Sequence, residues 1–244
     1  MNSRRVLFLG EGWWDGPAKY LGAVLRSSHL LFDHRHDRQA IPPSLLKRRY
    51  DAFILSDYRH ASFSSKTETW LCERVREGAG FLMIGGWASF TGLVGDYSGS
   101  RIEALLPVRC IPGDDRVNCP SGSAVIRQKK HAMLEGLDWK NPPFVCGYHR
   151  VASRPDTDTL LSLRDLKFRS GRPVLGTPHP LLVLGHWGSA RTAAFMTDCA
   201  PHWCGGLVDW GRKRVNASVA PGSSVEVGEN YLRFFSRLIQ WVMD

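Results

Sequence analysis

Short, continuously apolar runs alternate with helix-like segments in the first half of the sequence, and this alternation constrains the fold more than any other feature. The runs occupy residues 5–9, 51–57 and 81–84. Helices are predicted at residues 17–27 and 43–49, and from a serine cap at Ser64 or Ser65 to residue 77. Strands that are apolar throughout belong to parallel sheets covered on both faces. The pattern therefore predicts an α/β fold with a central, mostly parallel sheet.

The second half of the chain follows a looser pattern. Prolines, glycines and short β-like runs between about residues 101 and 176 predict an inserted or edge β region. Two further strands, at residues 180–184 and 190–197, are predicted on either side of a glycine-rich turn, and a helix closes the chain from residue 228. A chain of 244 residues can bury one large core. We therefore expect a single domain over residues 1–244, with the β-rich elaboration inside it.

Charge and hydropathy narrow the choice of partners. The formal net charge is +9, but the basic residues are spread, with the densest clusters at 47–49, 129–130 and 212–214. None of these clusters belongs to a groove-reading or RNA-binding motif, so no specific nucleic-acid partner is expected. No apolar stretch approaches the length of a membrane span, and no secretory signal is visible. The expectation is a cytoplasmic protein without a membrane partner.

The six cysteines are too scattered for a disulfide framework and are expected to be free thiols. The tightest potential metal-binding group is Cys199, His202 and Cys204. Zinc sites usually draw on two separated pairs of ligands, and this sequence offers no second pair. Neither a metal nor another cofactor is predicted.

In parallel sheets, ligands bind outside the carboxyl ends of the strands. Four polar or glycine-rich segments follow predicted strands here, at residues 10–13, 56–58, 85–89 and 197–198. Glu11 and Asp57 lie in the first two of these segments. Each is either a turn cap or a ligand contact.

The segment GFLMIGGWASFTG, residues 80–92, ends a predicted strand in two glycines. A nucleophile held on a sharp turn needs small neighbours because its backbone is strained. Nucleophile turns have the pattern Gly-x-Cys-x-Gly or Gly-x-Ser-x-Gly. When the first glycine of this pattern is aligned with Gly85 or Gly86, the nucleophile position falls on Trp87 or Ala88, and Ser89 lies beyond it. Two interpretations remain: the turn amides face a ligand oxygen, or the glycines merely permit close packing.

The segment FMTDCAPHW, residues 195–203, places an aspartate at a strand end and a histidine on a proline-containing turn. Asp198 and His202 could form a carboxylate–imidazole pair that abstracts a proton or orients a nucleophile. Alternatively, Asp198 caps the turn and His202 binds a buried carbonyl.

Together with ALLPV (104–108), HPLL (179–182) and VDW (208–210), these two segments resemble the class I glutamine amidotransferase-like superfamily, within an uncharacterised branch of cytoplasmic proteins. The resemblance implies a flavodoxin-like three-layer sandwich. Class I enzymes have a cysteine at the elbow and a His-x-Glu motif after a late strand. Both are absent here, so the resemblance implies common ancestry without amidotransferase activity.

Three functions follow, in order of preference. The first is binding of a small polar or carbohydrate-like ligand at the strand ends, where Trp13, Trp14, Trp87 and Trp203 offer faces that suit sugar rings. The second is a divergent hydrolase in which Asp198 and His202 activate water, a bound metal or Ser89. The third is a homo-oligomeric assembly protein. The candidate catalytic residues are Asp198, His202 and Ser89, and the candidate ligand-binding residues are Glu11, Asp57, Gly85, Gly86, Trp87 and Trp203.

Overall fold

The structure, a computed structural model, describes residues 4–12, 16–220 and 222–244. Trp13 and Trp14, expected near the strand ends, lie outside the described residues. The strands are β1 (Arg5–Gly10), β2 (Leu31–His36), β3 (Ala52–Ser56), β4 (Gly80–Ile84), β5 (Val108–Cys110), β6 (Arg116–Arg127), β7 (Phe144–His149), β8 (Val151–Ser153), β9 (Asp158–Arg169), β10 (Arg172–Trp187), β11 (Ala190–Phe195), β12 (Arg214–Ala220) and β13 (Ser223–Gly228). The helices are α1 (Ala18–Ser27), α2 (Pro43–Leu46), α3 (Ser65–Arg76), α4 (Arg101–Leu105), α5 (Pro201–Cys204) and α6 (Glu229–Met243), with 3₁₀ turns at His60–Ser62, Ala132–Leu134 and Gly205–Leu207.

Nine strands form one sheet in the order β2-β1-β3-β4-β11-β10-β9-β6-β7. The first five are mutually parallel. Their order corresponds to the 2-1-3-4-5 arrangement of flavodoxin-like folds, with β11 in the last place. The predicted α/β class and flavodoxin-like sheet are therefore confirmed.

The apolar strands are buried on both faces because their side chains alternate between two cores. Val6 and Phe8 of β1 join the core covered by α1 and α6. Leu7 and Leu9 join the core on the α3 side. This two-sided burial explains why β1 has no polar alternation.

Local sequence signals set several helix boundaries. The Ser64 side chain accepts a hydrogen bond from the Thr67 amide, and Thr67 reciprocates in a capping box that starts α3. The C-terminal helix α6 buries Tyr231, Phe235 and Leu238, which recur at helical spacing. In the described part of the chain, no helix is long and apolar enough to cross a membrane.

The β-rich elaboration extends the edge of the same sheet. Strands β10, β9, β6 and β7 add to β11 one after another in antiparallel pairs. Of the two alternatives predicted for residues 101–176, an inserted or an edge β region, the structure has an extension at the edge of the central sheet. It brings the ends of β6 and β7 beside the turn that follows β4.

Candidate functional site

The turn after β4 and the corner after β11 are neighbours. The Gly85 amide donates hydrogen bonds to the carbonyl oxygens of Phe195 (2.8 Å) and Thr197 (3.0 Å). A Cβ atom at Gly85 would lie 2.7 Å from the Met196 carbonyl oxygen, so this close approach excludes a side chain. Two of the segments predicted to contribute to one site therefore meet.

Trp87 and Ala88 are the residues that the two alignments place at the nucleophile position. The positive φ belongs to Gly86, at +147°, where L side chains are disfavoured. Trp87 follows with its side chain 48% exposed, and the Ala88 amide donates a 2.6 Å hydrogen bond to Asp57 Oδ1. An indole and a methyl group at the turn leave it without a nucleophile.

Ser89 is fully engaged in supporting the neighbouring strand end. Its buried hydroxyl donates to the Ile84 carbonyl (2.6 Å) and accepts from the Asp57 amide (3.0 Å). Asp57 itself adopts a left-handed backbone conformation, with φ of +58°. Ser89 thus stabilises a strained residue that points its carboxyl toward Gly86.

Three carboxyl groups converge at the carboxyl ends of β1, β3 and β11. Glu11, Asp57 and Asp198 each offer an oxygen within 4.8 Å of the other two. Such a set can neutralise its charge with a divalent cation or with protons. In the described ranges it is the one group of three potential metal ligands that lies close enough to share an ion.

Burial dominates the electrostatics of this cluster. It raises the pKa of Glu11 to about 11, helped by a hydrogen bond with the Asp57 carboxyl. Burial also raises the pKa of Asp57, and together with the Asp57 charge it raises the pKa of Asp198 to about 8. Glu11 therefore keeps its proton at neutral pH and donates it in a hydrogen bond to Asp57.

Asp198 and His202 have separate environments. The Asp198 Oδ1 atom accepts a 2.9 Å hydrogen bond from the Ala200 amide and closes the turn before α5. His202 is exposed on α5, with its ring 5.5 Å from the Trp87 ring. No hydrogen bond joins the two side chains in the part of the chain that the structure describes.

The nearby thiols are buried. Burial raises the pKa values of Cys199 and Cys204 well above the usual range for a thiol. The Cys199 Sγ atom lies 3.6 Å from the Ser56 hydroxyl, beneath the carboxyl cluster. Neither cysteine replaces the missing elbow thiol, because a reactive cysteine needs a lowered pKa and access.

A cavity of about 580 Å³ opens beside the cluster, and we call it the strand-tip cavity. The polar, charged and aromatic residues of its lining are Glu11, His36, Asp37, Arg38, Asp57, Arg59 and Trp87. The Arg116 guanidinium lies 5.5 Å from the Trp87 ring. Trp203 is buried away from this lining, and its Nε1 donates to Asn118.

His149 and Asp115 position the turn, and neither is among the candidate residues predicted from the sequence. Both side chains are fully buried, with Nδ1 and Oδ1 2.8 Å apart. His149 Nε2 lies 2.8 Å from the Gly86 carbonyl oxygen, and Asp115 accepts from the amides of Thr91 and Gly92. His149 lies at the end of β7, and no sequence motif marks either residue.

Solved structures share this architecture over almost the whole chain. Cytoplasmic protein STM3548 from Salmonella typhimurium is 25% identical, with a TM-score of 0.76, covering 97% of this chain and 98% of that one. Cytoplasmic protein STM1381 from Salmonella typhimurium LT2 is 22% identical, with a TM-score of 0.74, covering 98% and 99%. PurLQS from Thermotoga maritima shares only the fold, at 12% identity and a TM-score of 0.51 over 99% of each chain.

No curated protein matches the sequence. A family model does match, over residues 8–215, and its description is "Putative glutamine amidotransferase". The match runs from within β1 to the start of β12 and includes the turn after β4 and the corner after β11. The chain therefore belongs to this glutamine amidotransferase-like family.

Proposed function

We propose that this protein binds a small, neutral, hydroxyl-rich ligand of carbohydrate type in the strand-tip cavity, without amidotransferase activity. The convergence of the Glu11–Asp57 carboxyl pair and the exposed Trp87 face on one cavity supports this proposal most strongly. A volume of about 580 Å³ lies within the range of small-molecule sites.

The chemistry of the lining favours hydroxyl groups. Glu11 and Asp57 bring carboxyl oxygens that accept hydrogen bonds to the cavity lining, which suits a ligand that carries hydroxyl donors. The Trp87 ring adds a flat apolar surface suited to the C–H face of a sugar ring.

The charges of the lining favour a neutral ligand. Asp37 forms ion pairs with Arg59 at 3.2 Å and Arg38 at 3.8 Å. Glu11 holds a proton and adds no negative charge at neutral pH. Because Asp37 pairs with both arginines, it partly offsets their charge, and an anion gains less attraction than two unpaired arginines would provide.

Hydrolysis of the bound ligand is the second candidate. Asp198, whose pKa is raised to about 8, is the acidic group suited to proton transfer near neutral pH. Because Asp198 is buried and does not line the cavity, we rank hydrolysis below binding.

We also propose that the protein acts in the cytoplasm, since the two Salmonella typhimurium proteins it resembles are described as cytoplasmic.

Thermal denaturation with a panel of monosaccharides, polyols and charged metabolites tests the proposal. We expect stabilisation by a neutral polyhydroxyl compound, weakened about tenfold in apparent affinity by Trp87→Ala. Trp187→Ala is the matched control, because Trp187 is also exposed (39%) but lies outside the cavity. Stabilisation only by charged compounds, or equal losses in both variants, would contradict the proposal.

A further inference from the structure

A second cavity, of about 500 Å³, lies at the amino-terminal ends of the parallel strands. Its lining includes Asp51, which precedes β3, and residues 78–79, which precede β4. The strand-tip cavity lies beyond the carboxyl ends of those strands. Five strand residues separate the two cavities by about 17 Å along β3, so they are distinct sites.

Basic side chains dominate this second cavity, which we call the basic pocket. Lys47, Arg48, Arg49 and Arg74 line it, against two acidic side chains, Asp51 and Glu77. Lys47 and Arg49 follow α2 in an irregular segment, so both can face the same recess.

Two of the basic side chains of the pocket are already paired with carboxylates. Arg48 pairs with Asp33 at 2.5 Å, and Arg74 pairs with Glu77 at 2.6 Å. Asp51 accepts a 2.7 Å hydrogen bond from the Arg5 amide.

Lys47 and Arg49 differ from these paired side chains. Within the described ranges, neither forms an ion pair or a hydrogen bond. The pocket therefore holds two unpaired cationic side chains against one carboxylate, Asp51, that has an amide but no cation as its partner, so its lining keeps a net positive charge.

We propose that the basic pocket binds the phosphate group of a small phosphorylated molecule. A phosphate monoester carries nearly two negative charges at neutral pH, so it can pair with both Lys47 and Arg49. Arginine and lysine bind phosphate oxygens through charge-assisted hydrogen bonds, and arginine can do so with two donors at once. The recess has room for an organic group as well as the phosphate.

Isothermal titration with phenyl phosphate, in low-salt buffer free of other multivalent anions, tests this proposal. We expect saturable binding that is weakened at least about tenfold by the double substitution Lys47→Ala and Arg49→Ala. Phenyl sulfate, a monoanion of similar shape, is expected to bind more weakly. All the replaced side chains are exposed, so the variants should keep the melting temperature of the natural protein.

The matched control is the double substitution Arg109→Ala and Lys130→Ala, which removes the same charge from exposed positions outside the pocket. Unchanged phenyl phosphate binding in this control supports a defined site. Equal weakening in both double variants would show general charge attraction and overturn the proposal. No saturable binding at millimolar phenyl phosphate would overturn it as well, as would tight binding of duplex DNA in place of the phosphate ester.

Discussion

Gly86 and Asp57 lie so close together that a Cβ atom at Gly86 would overlap the Asp57 carboxylate. Gly86 therefore fixes the position of the carboxyl group, and the Ala88 amide anchors that group from the other side. In enzymes with a nucleophile elbow, such a turn presents a reactive side chain. Here it presents Trp87 to the cavity and holds Asp57 beneath it.

Gly86→Ala is expected to destabilise the fold by about 3 kcal/mol or more, because it combines backbone strain with overlap of a buried carboxylate. Gly136→Ala is the control, since Gly136 also has a positive φ (+66°) but has open space around its Cβ position. That substitution should lower stability by about 1 kcal/mol. Urea denaturation measures both changes, and similar losses would show that Asp57 does not confine Gly86.

The buried pair of His149 and Asp115 should be strongly coupled. Replacing either residue by alanine leaves the other buried without its partner and should lower stability by about 3–5 kcal/mol. A double-mutant cycle should give a coupling energy of about 1–3 kcal/mol. The exposed pair Arg74 and Glu77 is the control and should give less than about 1 kcal/mol. A weak coupling at His149 would mean that the pair does not anchor the turn.

The stability of the protein should fall as the pH rises toward 8. Asp198 in the folded chain keeps its proton up to about pH 8, whereas an unfolded aspartate loses it near pH 3.8. A group whose pKa is higher in the folded state than in the unfolded state stabilises the fold fully at pH values below its unfolded pKa. This stabilisation is lost as the pH rises through the folded pKa. The loss should therefore accumulate between about pH 4 and pH 8.

Asp198→Asn should flatten this dependence, because an amide does not titrate. Asp156→Asn, at an exposed position with the same side-chain change, should leave it unaltered. Chemical denaturation at a series of pH values provides the comparison. A pH profile for Asp198→Asn parallel to that of the natural protein would contradict the assignment.

Glutamine should not be hydrolysed, and the thiols beneath the site should resist modification. Cys199 and Cys204 are buried with raised pKa values, so iodoacetamide should label half-buried Cys146 before either of them in the native protein. Peptide mass spectrometry gives the order of labelling, and an ammonia assay tests glutamine. Rapid labelling of Cys199 together with ammonia release would restore an amidotransferase mechanism.

The parallel half of the sheet could be predicted from sequence because its strands are short apolar runs bounded by helices and glycines. β1, β3 and β4 lie within two residues of the predicted runs. The β12–β13 hairpin was not predicted, because its two strands combine small and polar residues that resemble a loop. Local pattern is a weak guide where pairing with a neighbour decides the structure.

Part of the site could also be predicted, because several of its residues directly follow the predicted parallel strands. Glu11, Asp57 and the glycine turn follow predicted strands, so their position at one edge of the sheet could be inferred from topology. The Asp115–His149 pair could not, because it forms only when β6 and β7 add to the far side of the sheet. The proton held by Glu11 could not be predicted either, because it depends on burial next to Asp57, which the chain reaches only when it is folded.

The most direct test of the central claim is an NMR titration that follows the indole N–H resonance of Trp87, identified by its loss in Trp87→Phe. If the strand-tip cavity binds a carbohydrate-type ligand, adding the stabilising monosaccharide or polyol should shift this resonance in a saturable manner. The resonance of exposed Trp187 should not move. A Trp87 resonance that stays fixed while the ligand saturates the protein would contradict the account.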